Sequence, residues 1–265
     1  MPSLLRALLD AVPGTLSGAA LDALAVLFPV ECAGCGASDR ALCPPCRAQL
    51  APRHERRLLD DGTAVFAALR YGGVVRRVIL SLKEQGRTDV AGALARPLAD
   101  TLAEALSAAA RAGGSRQGIE LCTVPPSRAA FRRRGYDPVA LLLRKAGLPV
   151  VRGVLVSVRR HAQQKVLDRG ARQRNLVGSL AARRPLAGRS FVLVDDVVTT
   201  GATLIEAARA IREGGGRVLF AVALANTIRL DGDFGSSRYK LVTSPEDRAT
   251  VSERGAGSSP GFTGG

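Results

Sequence analysis

The 265 residues carry 46% hydrophobic side chains, 4% aromatics and no tryptophan. That length allows one good-sized domain plus a small module, with a mostly aliphatic core. The formal net charge of +15 points to an acidic or phosphorylated partner and says nothing about fold. The excess is concentrated, because residues 128–174 hold 13 Lys/Arg against two Asp.

In chain order, residues 1–30 come first as an apolar stretch interrupted by Arg6, Asp10, Asp22 and Pro13. No run reaches the length of a membrane span. An uninterrupted apolar segment followed by a small-residue cleavage site, as a signal peptide needs, is not seen. The reading is an amphipathic helical lead-in and a cytoplasmic protein.

Residues 31–52 form a compact module around "CAGCGASDRALCPPC". The spacing Cys32-x2-Cys35-x7-Cys43-x2-Cys46 lets four thiolates converge on a tetrahedral Zn²⁺. Four cysteines close the coordination shell, so such an ion is structural. Two other readings compete: a pair of disulfides, which needs an oxidising compartment, and a redox-active Cys-x-x-Cys. Cys122, inside "IELCTV", reads as a buried strand residue.

Residues 53–232 carry the pattern of an α/β domain. Strands are expected at "TAVFAALRY", "IELCTVPP", "LPVVRGVLVSV", "SFVLVDD" and "RVLFAVALAN". Between them lie helical stretches at "VVRRVILSLKEQG", "VAGALARPLADTLAEALSAAARAGG", "DPVALLLRKAG" and "TLIEAARAIREGGG". Alternation of this kind predicts a parallel sheet flanked by helices. Residues 233–265 are Gly/Ser-rich and are expected to be a disordered tail.

The most informative stretch is "FVLVDDVVTTGATL", Phe191 to Leu204. Its start reads as a strand buried on both faces. Asp195 and Asp196 emerge at the C-terminal end, where open α/β sheets bind ligands. Thr199, Thr200, Gly201, Ala202 and Thr203 then open a helix, whose free N–H groups suit a phosphate. No lysine follows, so the loop is not a Walker A motif, and no G-x-G-x-x-G follows a strand. Carboxylates beside a phosphate loop make sense for a ligand with two ends. A ribose 5-phosphate places its phosphate in the loop and its vicinal diol, with Mg²⁺, on the two aspartates.

This stretch matches the signature for 5-phosphoribosyl 1-pyrophosphate (PRPP) of type I phosphoribosyltransferases. Together with the four-cysteine module, "YGGVVRRVILSLKEQG", "VPPSRAAFRRRGYDPVALL" and "RQRNLVGSL", it makes the chain resemble the ComF family of competence-associated proteins. Many relatives carry Asn-Gln where this chain has Asp137-Pro138. The resemblance implies a type I phosphoribosyltransferase fold with PRPP and Mg²⁺ at the aspartates. It implies a pyrophosphate loop at Val124 to Arg128, including Pro126, and a mobile loop within Arg159 to Asn175. Arg128, Lys165 and Arg172 are then the cations expected near pyrophosphate, with Gln164 and Asn175 as further candidates. Positive charge builds on the sugar and negative charge on the leaving group when that bond breaks, which suits preorganised cations there.

The implied activity is Mg²⁺-dependent displacement of pyrophosphate by an unidentified nitrogen nucleophile, linked to DNA uptake. Two alternatives remain open: a non-catalytic PRPP or nucleotide sensor, and a binder of single-stranded DNA or of the competence machinery through the basic segment. For the "RRR" at 132–134, a solvated basic face is an equally good reading. In that segment only Phe131 and Tyr136 offer aromatic rings for base stacking.

Overall fold

The computed structural model describes residues 30–113, 118–151, 153–158 and 176–227. The expected lead-in before residue 30, the whole of the expected mobile loop within Arg159 to Asn175, including Lys165 and Arg172, and the tail lie outside them.

The chain enters through two cysteine turns and a short helix, α1 (Pro44–Ala48). An antiparallel pair follows, β1 (Glu55–Leu58) and β2 (Ala64–Arg70). Helix α2 (Gly73–Glu84), a 3-10 turn at Thr88–Val90 and the long α3 (Ala91–Arg111) come next. Strand β3 (Ile119–Thr123) leads to α4 (Arg128–Arg134) and α5 (Pro138–Lys145). A two-stranded ribbon, β4 (Leu155–Ser157) with β5 (Leu180–Ala182), is antiparallel. The chain then forms β6 (Ser190–Val198), α6 (Ala202–Glu213) and β7 (Arg217–Asn226).

The main sheet has the order β1-β2-β7-β6-β3. The neighbours β2–β7, β7–β6 and β6–β3 are parallel, and only β1 runs the other way. This is the parallel sheet that strand–helix alternation predicts. Strand β6 shows why an unbroken apolar run is needed in its middle. Val192 and Val194 face the core under α2, α3 and α5, whereas Phe191 and Leu193 face the core under α6 and the ribbon. All four are buried. Each such side chain stabilises the fold by about 1.5–3 kcal/mol. A polar residue at any of them would sit in one of two dry layers.

One expected strand is shorter than its sequence implied. Of "LPVVRGVLVSV", only Leu155–Ser157 is strand. Pro149 lacks a backbone N–H for a ladder, and Gly153 takes φ +69°, which turns the chain. Val151 still donates to the Leu121 carbonyl, so this segment touches the edge of β3 before it turns. Among the described residues, no helix is long and apolar enough to cross a membrane.

Candidate functional site

The site lies where β6 ends. Asp195 and Asp196 occupy its last turn of the pleat, both half-buried. Each bends the backbone onto itself: the Asp196 N–H donates to Asp195 Oδ1 at 2.8 Å, and the Val197 N–H to Asp196 Oδ1 at 2.7 Å. Burial pushes the Asp195 carboxyl up to about 7, and the charge on Asp196 adds to it, as does Asp137 to a smaller degree. A donated N–H and the Lys83 ammonium oppose that rise.

The loop that follows is shaped by one glycine. Gly201 is the N-cap of α6 with φ +83°, a left-handed conformation that favours glycine. A Cβ there would also meet Leu59 Cδ2 at 2.4 Å. The glycine cap itself brings no side chain to the N-terminus of α6. Arg57 Nη2 donates to the Thr199 carbonyl at 3.0 Å, and Thr200 Oγ1 accepts from the Ala202 N–H at 3.3 Å. The expected phosphate residues Thr199, Thr200, Gly201, Ala202 and Thr203 are thus one contiguous turn above the aspartates. Its exposed end is Thr199.

Strand β3 brings in the next pair. Thr123 is level with Val194 of β6, so the chain leaves β3 just short of the level of Asp195. Pro126 and Arg128 therefore sit on the same edge of the sheet as the aspartates. Ser127 caps α4 by accepting from the Ala130 N–H at 3.2 Å, and Arg128 is the first helical residue. A cavity of about 370 Å³ opens here, with Pro125, Pro126, Tyr136, Asp137, Arg144 and Leu155 in its wall. Asp137 has a local task. Its Oδ1 accepts from the Val139 and Ala140 N–H groups at 2.9 and 3.2 Å, capping α5, while Pro138 fills the first helical position.

Two contributors to the geometry of the candidate site escaped sequence reasoning. The first is Lys83 at the end of α2. Its Nζ lies 2.9 Å from Asp196 Oδ2 and 3.1 Å from Oδ1. The second is the "RRRGY" turn that holds Lys83 in place. Arg134 Nε donates to the Lys83 carbonyl at 2.6 Å, Tyr136 Oη donates to the Leu82 carbonyl, and Arg133 and Arg134 both pair with Glu84. Arg134 is only 12% exposed. The basic run at 132–134 is therefore not one solvated face, because Arg134 belongs to the scaffold of the site. The one signal in the sequence was that both motifs fall within the same family pattern; their contact in space was not legible.

Glu206 is the other buried carboxylate close by, on α6. Its Oε1 accepts from the Leu180 N–H at 2.9 Å, and Arg209 pairs with it at 2.7 Å. Burial alone would raise its carboxyl, but the Arg209 and backbone N–H bonds together outweigh burial and hold it below the usual range. It ties the ribbon, from which the 159–175 segment departs, to the helix that begins at the phosphate turn.

The cysteine module forms a second centre. The Sγ atoms of Cys32, Cys35, Cys43 and Cys46 lie within 4.8 Å of one another, and Cys35 and Cys43 Sγ are 3.6 Å apart. A tetrahedral ion with bonds of about 2.3 Å sets ligand sulfurs roughly 3.8 Å apart, so this set fits a metal ion. None of the five cysteines is in a disulfide, and the four module sulfurs converge on one point rather than lying in two separate pairs. Burial works against the Cys32 thiolate, but N–H donation from Cys43, Gly34 and Cys35 outweighs it and brings the thiol down to about 6. Burial pushes lone Cys122 up to about 12, as befits an inert strand residue. The module is fastened to α2 through Arg77 Nε, which donates to the Gly34 carbonyl, and through Val74 packed beside Cys46 and Gly34.

The chain has similarities to several known proteins. The phosphoribosyl transferase domain family matches residues 130–240. DNA utilization protein YhgH of Escherichia coli O157:H7 is 29% identical over 214 residues, covering 74% of this chain and 89% of that protein. Orotate phosphoribosyltransferase of Rhizorhabdus wittichii is 40% identical over 55 residues, or 21% of this chain and 28% of the enzyme. The solved structure of Leishmania donovani UMP synthase aligns with 69% of this chain and 31% of its own, at 17% identity and a TM-score of 0.31. The class is a phosphoribosyltransferase-type α/β domain with a four-cysteine module ahead of it. Within that class the chain is similar to the YhgH proteins over most of its length, as its resemblance to the ComF family implies.

Proposed function

We propose that the protein binds PRPP with Mg²⁺ at the end of β6 and displaces its pyrophosphate with a nitrogen nucleophile. The observation that carries this reading is the contiguous order of buried strand, carboxylate pair, left-handed Gly201 and the N-terminus of α6. The N-terminal N–H groups of α6 and the threonine hydroxyls hold the 5-phosphate. Asp195 and Asp196 accept from the ribose hydroxyls and supply the oxygen ligands that Mg²⁺ prefers. When bound, Mg²⁺ neutralises charge on the pyrophosphate oxygens. As the anomeric C–O bond breaks, its electron pair leaves with pyrophosphate, and the nitrogen lone pair forms the new C–N bond. While the C–O bond is breaking and before the C–N bond is complete, the carboxylates face a sugar carrying positive charge, which they stabilise. In this reading Pro126 and Arg128 serve the leaving-group side, and Lys165 and Arg172 are the further cations that the family resemblance assigns to it. The four cysteines hold a structural Zn²⁺, which has no part in the chemistry.

Calorimetric titration of PRPP with and without Mg²⁺ tests the reading on wild type and on Asp195→Asn/Asp196→Asn. Magnesium-dependent binding that the double variant loses is the expected result. Absence of binding in wild type with the cysteine site loaded would sink it. Binding without pyrophosphate release, across a panel of amine and heterocycle acceptors, would make the protein a PRPP sensor.

A second reading rests on α4. Phe131 is 49% exposed and shares a shallow hollow with Pro126, Arg128 and Arg132. An aromatic face between guanidinium groups suits a stacked base with its flanking phosphates, and the homologues are named for DNA utilization. Binding of a single-stranded oligonucleotide should then fall steeply with salt and be weakened by Phe131→Ala/Arg132→Ala. Equal affinity of the variant and wild type would exclude this face.

A further inference from the structure

We propose that Lys83 is a resident cation of the aspartate pair, keeping a bare divalent metal ion off Asp196 until an anionic sugar phosphate arrives with it. The inference rests on the ligand reading above and assigns a residue and an order of binding to that site.

Three observations carry it. Both oxygens of Asp196 are already occupied: Nζ of Lys83 lies 2.9 Å from Oδ2 and 3.1 Å from Oδ1, and Oδ1 also accepts from the Val197 N–H at 2.7 Å. The backbone from which Lys83 reaches is pinned. Arg134 Nε holds its carbonyl, Tyr136 Oη holds that of Leu82, and Glu84 is paired with Arg133 and Arg134. The ammonium itself is not pinned, since the side chain is 23% exposed and its four-carbon stem can swing.

Among the described residues, the charges that act at this point include Asp195, Asp196, Asp137 and Lys83. A lone divalent ion would have to displace the ammonium or lie beside it, and like charges at such range repel strongly in a half-buried site. An ion that enters with pyrophosphate brings its own negative charge. The displaced ammonium then has phosphate oxygens to move to, so displacement costs little. Lys83 thereby selects the metal–ligand complex over the metal alone.

The test is Mn²⁺ titration, read by the electron paramagnetic resonance of the free ion, on the full chain. Lys83→Met is expected to bind Mn²⁺ at least tenfold tighter than wild type, and Lys83→Arg to match wild type. PRPP should tighten Mn²⁺ binding strongly in wild type and by less than about threefold in Lys83→Met. A damaged fold would lose affinity, so the predicted gain separates the proposal from a structural role. Should Lys83→Met fail to fold, Lys83→Gln carries the same expectation, since it keeps a hydrogen bond to Asp196 without the charge. Unchanged or weaker Mn²⁺ binding in the folded neutral variant overturns the proposal. If the gain appears but wild type never binds PRPP, the cation role stands and the ligand reading falls.

Discussion

Replacing Asp195 by asparagine is expected to stabilise the protein at alkaline pH while removing its ligand affinity. The carboxyl is pushed from 3.8 up to about 7 by burial and by the neighbouring Asp196 charge. The folded value lies above the unfolded one, so the native state binds more protons between those two pH values. Stability contributed by the neutral acid is complete below about pH 4 and falls as pH rises towards 7. A tenfold change in acidity corresponds to about 1.4 kcal/mol, so an ionised Asp195 costs the fold at most about 4 kcal/mol. Solvent reaches this half-buried group, which reduces the figure to about 1–3 kcal/mol. Asparagine keeps an oxygen for the Asp196 N–H and never ionises. At pH 8 the variant should therefore melt several degrees higher, at about 2–4 °C per kcal/mol for a chain of this size. Thermal denaturation of both proteins at pH 5, 6.5 and 8, at fixed ionic strength, measures this. The difference in Tm should grow with pH. A difference independent of pH, or a variant less stable at pH 8, would refute the electrostatic account of the site.

Three further outcomes follow from the same geometry. Gly201→Ala combines a left-handed φ with a Cβ 2.4 Å from Leu59 Cδ2; urea denaturation should show a loss of about 2 kcal/mol or more. Adding Leu59→Ala should relieve the clash but not the backbone strain. Glu206→Ala removes the acceptor for the Leu180 N–H and leaves Arg209 without its buried partner, for an expected cost of about 3 kcal/mol; Glu206→Gln should cost less because it retains the Leu180 bond. Elemental analysis should find one zinc per chain, lost in Cys46→Ser, and chelation should lower Tm. Hydrogen exchange should then quicken along α2, which Arg77 and Val74 fasten to the module.

Contiguous features could be read from the chain. The four cysteines fall within fifteen residues, so local turns suffice to bring them together. The signature runs strand, carboxylates, loop and helix without interruption, and each part has its own local pattern. Where the local signal was weak, the reading missed elements. Strand β1, "ERRL", shows no apolar alternation. It forms because it pairs with β2 at the sheet edge, with the Arg56 guanidinium 5.7 Å from the Phe66 ring centroid. Helix α4 is seven residues with no buried side chain, and so has no amphipathic stripe to recognise.

By itself the sequence determined the class of fold, the strand, carboxylate pair and loop of the candidate site, and the cysteine centre, because each is encoded by residues adjacent in the chain. Only the tertiary structure decided which cation meets Asp196, that Arg134 and Tyr136 hold that cation's backbone, and that Asp137 adds to the charge felt by Asp195. Lys83 and Asp196 are 113 positions apart. Nothing in local propensity links them. They meet because parallel pairing of β7 with β2 and β6, with α2 and α3 packed on one face, carries the end of α2 over the end of β6.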